Sequence, residues 1–204
     1  MASKVVIPAD EDNVTLTVAG CDVRLTNLRK LFWPERGVTK GALIQYYADV
    51  SGLLLPHIRD RAMVMKRYPH GADGPFFFMK REPVPRPAWI RTCTIDHTSG
   101  NIIDFPVIDD VPSLLWVINL GCIDYNQNAS GRTLASIYSV RPRPLASVST
   151  PITWDEVASG VTIEDFTLEN VRTRFEKTGD LWKPLLAARG RTNLETFLAP
   201  RTRP

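Results

Sequence analysis

At 204 residues, 44% of them hydrophobic and 23% charged, the chain has the size and balance of one domain with a core of its own. That balance excludes a disordered tail, a collagen-like fibre and a coiled coil, and the longest apolar run, Leu114 to Ile118, is far short of a membrane span. A net charge of +3 names no partner by itself, and the distribution of the charge says more than its sum.

In chain order, Val14 to Val18 and Asp22 to Leu25 alternate apolar with polar around Ala19-Gly20, the pattern of a hairpin. Thr26 to Lys40, with Pro34 and Gly37, reads as a loop. Thr39 is a good N-cap for a helix that carries Leu43, Tyr46, Tyr47, Val50 and Leu54 at helical spacing and is expected to end before Pro56. Ala62 to Tyr68 is a short strand, Pro69 to Pro75 a turn, and Phe76 to Lys80 a second strand. Strands are also expected over Trp89 to Ile95 and Asn101 to Val107. Asp109 and Asp110 precede a helix from Pro112 to Leu120 that Gly121 stops. Ser139 to Pro151 holds three prolines and reads as an extended arm. Thr153 to Glu156 is a capping box for a short helix ended by Gly160. Helices follow over Leu168 to Lys177 and from about Pro184 towards Arg189. Short strands with few helices and no regular alternation give an α+β class, with mixed or antiparallel sheets flanked by helices.

The basic residues cluster. Arg59 to Arg91 contains eight of them against three acids, interleaved with Tyr68, Phe76, Phe77, Phe78 and Trp89. Ser130 to Thr150 contains Arg132, Arg141 and Arg143 and no acid. Cations that hold phosphates, beside flat rings that stack on bases, are the composition of a nucleic-acid groove; the plainer reading of either run is a solvated surface. Three scattered cysteines, Cys21, Cys93 and Cys122, fit reduced buried thiols in a cytoplasmic protein. The N-terminal residues carry one lysine and no apolar core of a signal peptide. No phosphate-binding P-loop, dinucleotide fingerprint, zinc-protease helix or serine-hydrolase elbow occurs.

What the sequence does carry is a series of longer strings. They run Leu25-Thr-Asn-Leu-Arg-Lys-Leu-Phe-Trp-Pro, Gly37-Val-Thr-Lys-Gly, Tyr46-Tyr47, Leu55-Pro-His, Lys66-Arg-Tyr-Pro-His-Gly-Ala-Asp-Gly-Pro and Phe77-Phe-Met-Lys-Arg. Leu114-Leu-Trp, Asn119-Leu-Gly, Asp124-Tyr-Asn-Gln-Asn, Tyr138-Ser-Val-Arg-Pro-Arg-Pro and Thr150-Pro-Ile-Thr-Trp-Asp-Glu-Val follow. In this order, from about Leu25 to about Trp182, the chain resembles the polymerase domain of bacterial DNA ligase D, a primase-polymerase of the archaeo-eukaryotic primase superfamily.

The resemblance implies roles. Asn27, Lys30 and Lys40 match the residues that grip the 5′-phosphate at a DNA break, and two ammonium groups with a neutral donor suit a dianion. Phe77 and Phe78 match aromatic residues that stack at the template strand, although alternation along a strand would send one of the two rings into the core. Lys66, Gln127 and Arg141 match nucleotide-contacting positions. Asp124 matches one of three metal-binding carboxylates, which in the family hold manganese or magnesium for nucleotidyl transfer. The implied partners are DNA ends bearing a 5′-phosphate, a nucleoside triphosphate, and a DNA ligase or another end-joining protein; no membrane partner is implied, and the implied location is the bacterial cytoplasm at the nucleoid.

The departure from the family is as informative as the match. In the family the central block carries an Asp-x-Asp pair and a Ser-x-x-Lys-Gly-x-His stretch, whereas here Asn119-Leu-Gly-Cys-Ile runs directly into Asp124 and neither motif stands at that place; the chain's one Asp-x-Asp, Asp10-Glu11-Asp12, lies ahead of the resembling strings. Asp109-Asp110, being adjacent, reads as a helix cap. The expectation is a single shortened domain over 1–204, with a DNA-binding part over 1–123 and a remnant of the catalytic core plus a helical arm over 124–204. Three functions are open at this point. One is a DNA-end-binding module impaired in catalysis, another a nucleotidyltransferase completed by a partner chain, and the third an inactive remnant. Loss of central strands would leave exposed sheet edges and favour self-association.

Overall fold

The computed structural model describes residues 4–96, 102–129 and 132–187, and for residues 96, 123–129 and 132–135 the backbone alone. The chain opens with an antiparallel hairpin of β1 (Val14–Val18) and β2 (Cys21–Leu25). Ala19 and Gly20 both take positive φ at its turn, as a two-residue hairpin connection requires. Leu25 and Val23 are buried, and Arg24 and Asp22 face out.

The stretch expected as a loop is instead structured. β3 (Leu31–Trp33), a 3-10 turn over Pro34–Arg36 and β4 (Val38–Thr39) form a tight second hairpin, with Gly37 in the left-handed region. Its strands are too short to show a period, but Phe32, Trp33 and Val38 are buried and tie it to the core. Thr39 then caps α1 (Lys40–Ile58), its hydroxyl accepting the Ala42 N–H at 3.1 Å. The helix does not end before Pro56. The bond that Pro56 cannot donate would have gone to Gly52, which is exposed, so its carbonyl can turn to water. Meanwhile Leu55, His57 and Ile58 are buried and hold the last turn in place.

β5 (Met63–Arg67) and β6 (Phe77–Met79) follow, then the hairpin of β7 (Thr92–Asp96) and β8 (Ile102–Pro106). β7 begins three residues later than expected, because Trp89 to Arg91 is turn and irregular chain after the prolines. Asp110 caps α2 (Val111–Asn119) through a capping box with Ser113, and Gly121 ends the turn at φ +83°. β9 (Cys122–Ala129) and β10 (Arg132–Ala135) complete a four-stranded antiparallel sheet in the order β10-β9-β5-β6. Asp124 is the third residue of β9, which continues five residues beyond it.

The proline-rich stretch is not an extended arm either. It doubles back, Val140 bridging Val148, and its ends are buried. Its backbone is satisfied from a distance: the Tyr46 hydroxyl donates to the Tyr138 carbonyl at 2.9 Å, and the Val140 N–H donates to the Tyr47 hydroxyl at 3.0 Å. α3 (Trp154–Ser159) has the expected Thr153–Glu156 capping box and ends at Gly160. α4 (Val171–Thr178) and α5 (Lys183–Leu186) close the described chain; Arg189, towards which the last helix was expected to run, lies outside it.

One core runs through these elements. α1 gives it Leu43, Ile44, Tyr46, Tyr47 and Leu54, and α2 gives Leu114, Leu115, Val117 and Ile118. Met63 and Met65 of β5 and Tyr138 of the folded arm close it. Each such side chain contributes roughly 1.5–3 kcal/mol by leaving water. The tail is pinned to this core by Asp180, whose carboxylate accepts the Tyr138 hydroxyl at 2.6 Å and lies 2.8 Å from His57 Nε2. These hydrogen bonds hold the Asp180 carboxyl below its ordinary range against the cost of burial, and the same contact with burial raises Tyr138. The architecture is α+β, with small antiparallel sheets and packed helices.

Candidate functional site: two cationic cavities beside one sheet

Three of the sequence-predicted residues come together. Asn27, Lys30 and Lys40 line one cavity of about 260 Å³ with Thr26, Arg67, Tyr68 and the α2 terminus at Asn119 to Gly121. Local chemistry explains each placement. Asn27 stands at φ +55°, a left-handed position that asparagine tolerates better than most residues. Its turn is fixed by the Lys30 N–H donating to the Asn27 carbonyl at 3.1 Å. Lys40 opens α1 directly below, and Gly41 lets that helix approach so closely that a Cβ there would stand 3.1 Å from the Leu28 carbonyl oxygen.

The cations are held by main-chain oxygens. Lys30 Nζ donates to Pro69 O at 2.6 Å, Lys40 Nζ to Thr26 O at 2.6 Å, and Arg67 Nε to Leu120 O at 2.8 Å. Among the described residues no carboxylate lines the cavity. Lys40 is only 5% exposed. Burial, then the neighbouring charges of Lys30 and Arg67, lower its ammonium to about 8, with Asp12 opposing. A buried ammonium among like charges, without an acid on the wall, is a site arranged for an anion.

Arg67 was missed in the sequence, where it reads as the neighbour of Lys66. The usable signal was its place on a strand: adjacent residues of β5 face opposite ways, so Lys66 and Arg67 serve different cavities. Lys66 lines the second and larger one, of about 600 Å³, with Tyr68, Phe76, Arg141 and Arg143. Its ammonium sits 4.1 Å from the centre of the Phe76 ring, 5.4 Å from that of Tyr68 and 5.9 Å from that of Phe78. Arg141 is thus beside Lys66, and Arg143 is a further basic residue that sequence reasoning did not single out. Tyr68 belongs to the walls of both cavities.

The two phenylalanines do not split between core and surface. Phe77 is 44% exposed and Phe78 54%. β6 is a three-residue edge strand, and of its side chains only Met79 packs against the core. Pairing sorts them instead: Phe77 stands opposite Arg67 and Phe78 opposite Lys66. The Arg67 guanidinium lies 5.4 Å from the centre of the Phe77 ring. The rings therefore do not form one platform; Phe77 accompanies the smaller cavity and Phe78 the larger.

Asp124 occupies the register position opposite Lys66, at an irregularity where β9 gains a residue over β5, and Gln127 is opposite Met63 at the other end of that strand. Asp124 is the only carboxylate in the four strands of this sheet. Among the described residues no three His, Cys, Asp or Glu side chains gather into a possible metal site. The pair of divalent cations that the resemblance implies calls for several carboxylates, and the strands of this sheet carry one, Asp124. Asp110 caps α2, and Asp109 receives Arg91 at 2.6 Å, which helps hold its carboxyl below the usual range. Cys122, at the start of β9, is buried, and burial pushes its thiol up to about 12; Cys21 and Cys93 are only half-buried. No helix among the described residues is long and apolar enough to cross a membrane.

Comparison with known proteins bears on the family and the fold. The sequence model of the family described as "LigD, primase-polymerase domain" matches residues 39–124 and 122–182, two segments that meet at the start of β9. The multifunctional non-homologous end joining DNA repair protein LigD of Mycobacterium tuberculosis is 36% identical over 102 residues, which are 50% of this chain and 13% of that protein. The bifunctional non-homologous end joining protein LigD of Bacillus subtilis is 32% identical over 104 residues, 51% of this chain and 16% of its own length. The chain therefore aligns with a small part of these relatives. The structure of the polymerase domain from Mycobacterium tuberculosis ligase D in complex with DNA superposes with a TM-score of 0.75 at 19% identity. That match covers 81% of this chain and 98% of that one, and it shows a shared fold. With the family model spanning well over half of its length, the chain belongs to the LigD primase-polymerase domain family.

Proposed function

We propose that this chain is a DNA-end-binding module of non-homologous end joining that grips a 5′-phosphate and is impaired in nucleotidyl transfer. One observation carries the reading: Lys30, Lys40 and Arg67 converge, with Asn27, on a cavity that has no carboxylate in its wall. Three prearranged cations suit a terminal phosphate dianion better than the single charge of an internal phosphodiester. The DNA in the complex of the mycobacterial relative supports the ligand class. Phe77 and Phe78 supply exposed rings for unpaired bases, and Lys66 and Arg141 would hold the phosphates of a nucleoside triphosphate in the larger cavity. Gln127 contributes to that second ligand only through its place on β9.

The impairment rests on Asp124 being the one carboxylate in its sheet's strands and on there being no Asp-x-Asp pair between Asn119 and Asp124, where the resemblance places it. On this reading the chain is one shortened domain, its DNA-binding part at 1–123 and the rest at 124–204, with the family's central block missing where the two matched segments meet. A ligase or another end-joining protein would act on the end it holds. Unpaired backbone at the sheet edges β6 and β10 gives a second copy a place to add.

The test is fluorescence anisotropy on recessed duplexes that differ only at the 5′ end. Each charge-assisted contact is worth roughly 1.5–3 kcal/mol, so the phosphorylated end should bind about tenfold or more tightly. The preference should fall as salt rises, since phosphate neutralisation releases counterions. Lys30→Ala and Lys40→Ala should each shrink it, whereas Lys177→Ala, on the exposed side of α4, should not. Equal affinity for both ends, in protein shown to be folded by circular dichroism, would refute the reading.

A further inference from the structure

Arg67 is in contact with two things at once. It lines the smaller cavity with Lys30 and Lys40, anchored through Nε to Leu120 O at 2.8 Å. From the same guanidinium, Nη1 lies 3.9 Å from Met79 Sδ and the central carbon 5.4 Å from the centre of the exposed Phe77 ring, its cross-strand partner. A guanidinium that lies over a ring while its Nε donates to a carbonyl has little freedom left once either contact is fixed. An anion drawn into the cavity pulls on the same group that supports Phe77 from below. A base laid on Phe77's outer face in turn presses the ring onto the guanidinium and holds it for the anion. Phe78 cannot share this link, because it pairs with Lys66 on the side of the larger cavity.

Building on the 5′-phosphate reading, we infer that Arg67 is a positioning residue that makes capture of a terminal phosphate and stacking of the adjacent unpaired base on Phe77 cooperative. The site then recognises a recessed, phosphorylated end with an overhang as one object. A blunt phosphorylated end or an unphosphorylated overhang engages only half of it.

The measurement is a two-by-two set of recessed duplexes. Each carries a 5′-phosphate or a 5′-hydroxyl, and the first unpaired nucleotide of the overhang is either normal or abasic. The quantity read is the ratio of ratios: how much more the abasic change weakens binding when the phosphate is present than when it is absent. In the unaltered protein it should be about threefold, the size of one cation–ring contact. It should fall to one in Arg67→Lys, which keeps the charge and loses the stacking plane, and in Phe77→Ala, an exposed position whose change leaves the core untouched. A loss of stability alone would weaken all four duplexes together and leave the ratio at three, so a ratio of three retained in either variant overturns the inference. A phosphate preference with a ratio of one in the unaltered protein overturns the coupling and leaves the phosphate reading standing. Absence of any phosphate preference overturns both.

Discussion

The two cavities that share Tyr68 are both cationic, yet they are built differently. In the smaller, each of the three cations is tied to a main-chain carbonyl: Pro69, Thr26 or Leu120. Those carbonyls stand just after β2, in the turn after β5 and at the end of α2, so folding itself gathers the charges. In the larger, Lys66 rests against rings of which two, Phe76 and Phe78, are half exposed, and Arg141 and Arg143 come from the folded arm. The smaller cavity is complete within the chain. The larger adjoins a sheet whose four strands carry one carboxylate, Asp124. On the function proposed above, the difference would make binding and catalysis separable in this fold: the first is assembled from turns within the chain, the second depends on strands that must bring several acids to one place.

The sharpest way to break this comparison is to look for chemistry at the larger cavity. Templated primer extension and terminal transfer should both be undetectable with manganese or magnesium. An extension product that Asp124→Ala abolishes would show that the larger cavity is complete after all, and the distinction would collapse.

A smaller effect is expected at the wall between the cavities. Gly121 sits at φ +83°, and its Cβ would stand 3.1 Å from the Tyr68 carbonyl oxygen. Gly160 has nearly the same φ, +79°, with nothing within 4 Å. Gly160→Ala should therefore cost only the backbone strain of the left-handed region, about 1 kcal/mol, while Gly121→Ala adds a backbone clash and should cost about 2–3 kcal/mol. Urea denaturation measures both. Because Gly121 follows Leu120, whose carbonyl anchors Arg67, its substitution should also reduce the 5′-phosphate preference, and Gly160→Ala should not. Equal costs at the two sites would mean that the wall yields and that the cavities are not rigidly set.

The elements that frame the smaller cavity could be read from the sequence, and the reason is that their ends are set locally. The Thr39 cap, the Asp110 cap and the Gly121 stop are each decided by residues within a few positions, and they bring Lys40 and the α2 terminus to the cavity. The misreadings have a common cause as well. The β3–β4 hairpin is too short for a period, and the arm from Ser139 to Pro151 was read as extended because its bonds come from Tyr46 and Tyr47, more than ninety residues away. Helix α1 passes Pro56 because burial of Ile58 and the contact of His57 with Asp180 outweigh one missing bond. Arg67 was overlooked since its role appears only once β6 is laid beside β5. Local signals set the helix ends around the smaller cavity, and long-range pairing brings Arg67 to it and sets nearly everything about the larger one.

The smallest expected effect separates the cavities by pH. Lys40 titrates at about 8 in the folded chain against 10.5 as its ordinary value. A bound phosphate dianion restores the charge, so binding above that pH requires the uptake of a proton. Affinity for the 5′-phosphate end should fall about twofold between pH 7 and pH 8 and further above it, with the loss absent in Lys40→Met. Stability should move the other way. Between about 8 and 10.5 the unfolded chain holds the Lys40 proton and the folded chain does not, so this group's contribution makes stability rise with pH across that window and leaves it flat below. The two signs together are the signature of a lysine buried for an anion: its charge opposes folding and favours the ligand. Titrating phosphate preference by anisotropy and unfolding by urea over pH 7 to 10, in both proteins, measures the two together. A phosphate preference that is level from pH 7 to 9 would show that the Lys40 ammonium is already fully compensated in the empty cavity, and that the smaller site is no more prearranged for an anion than the larger.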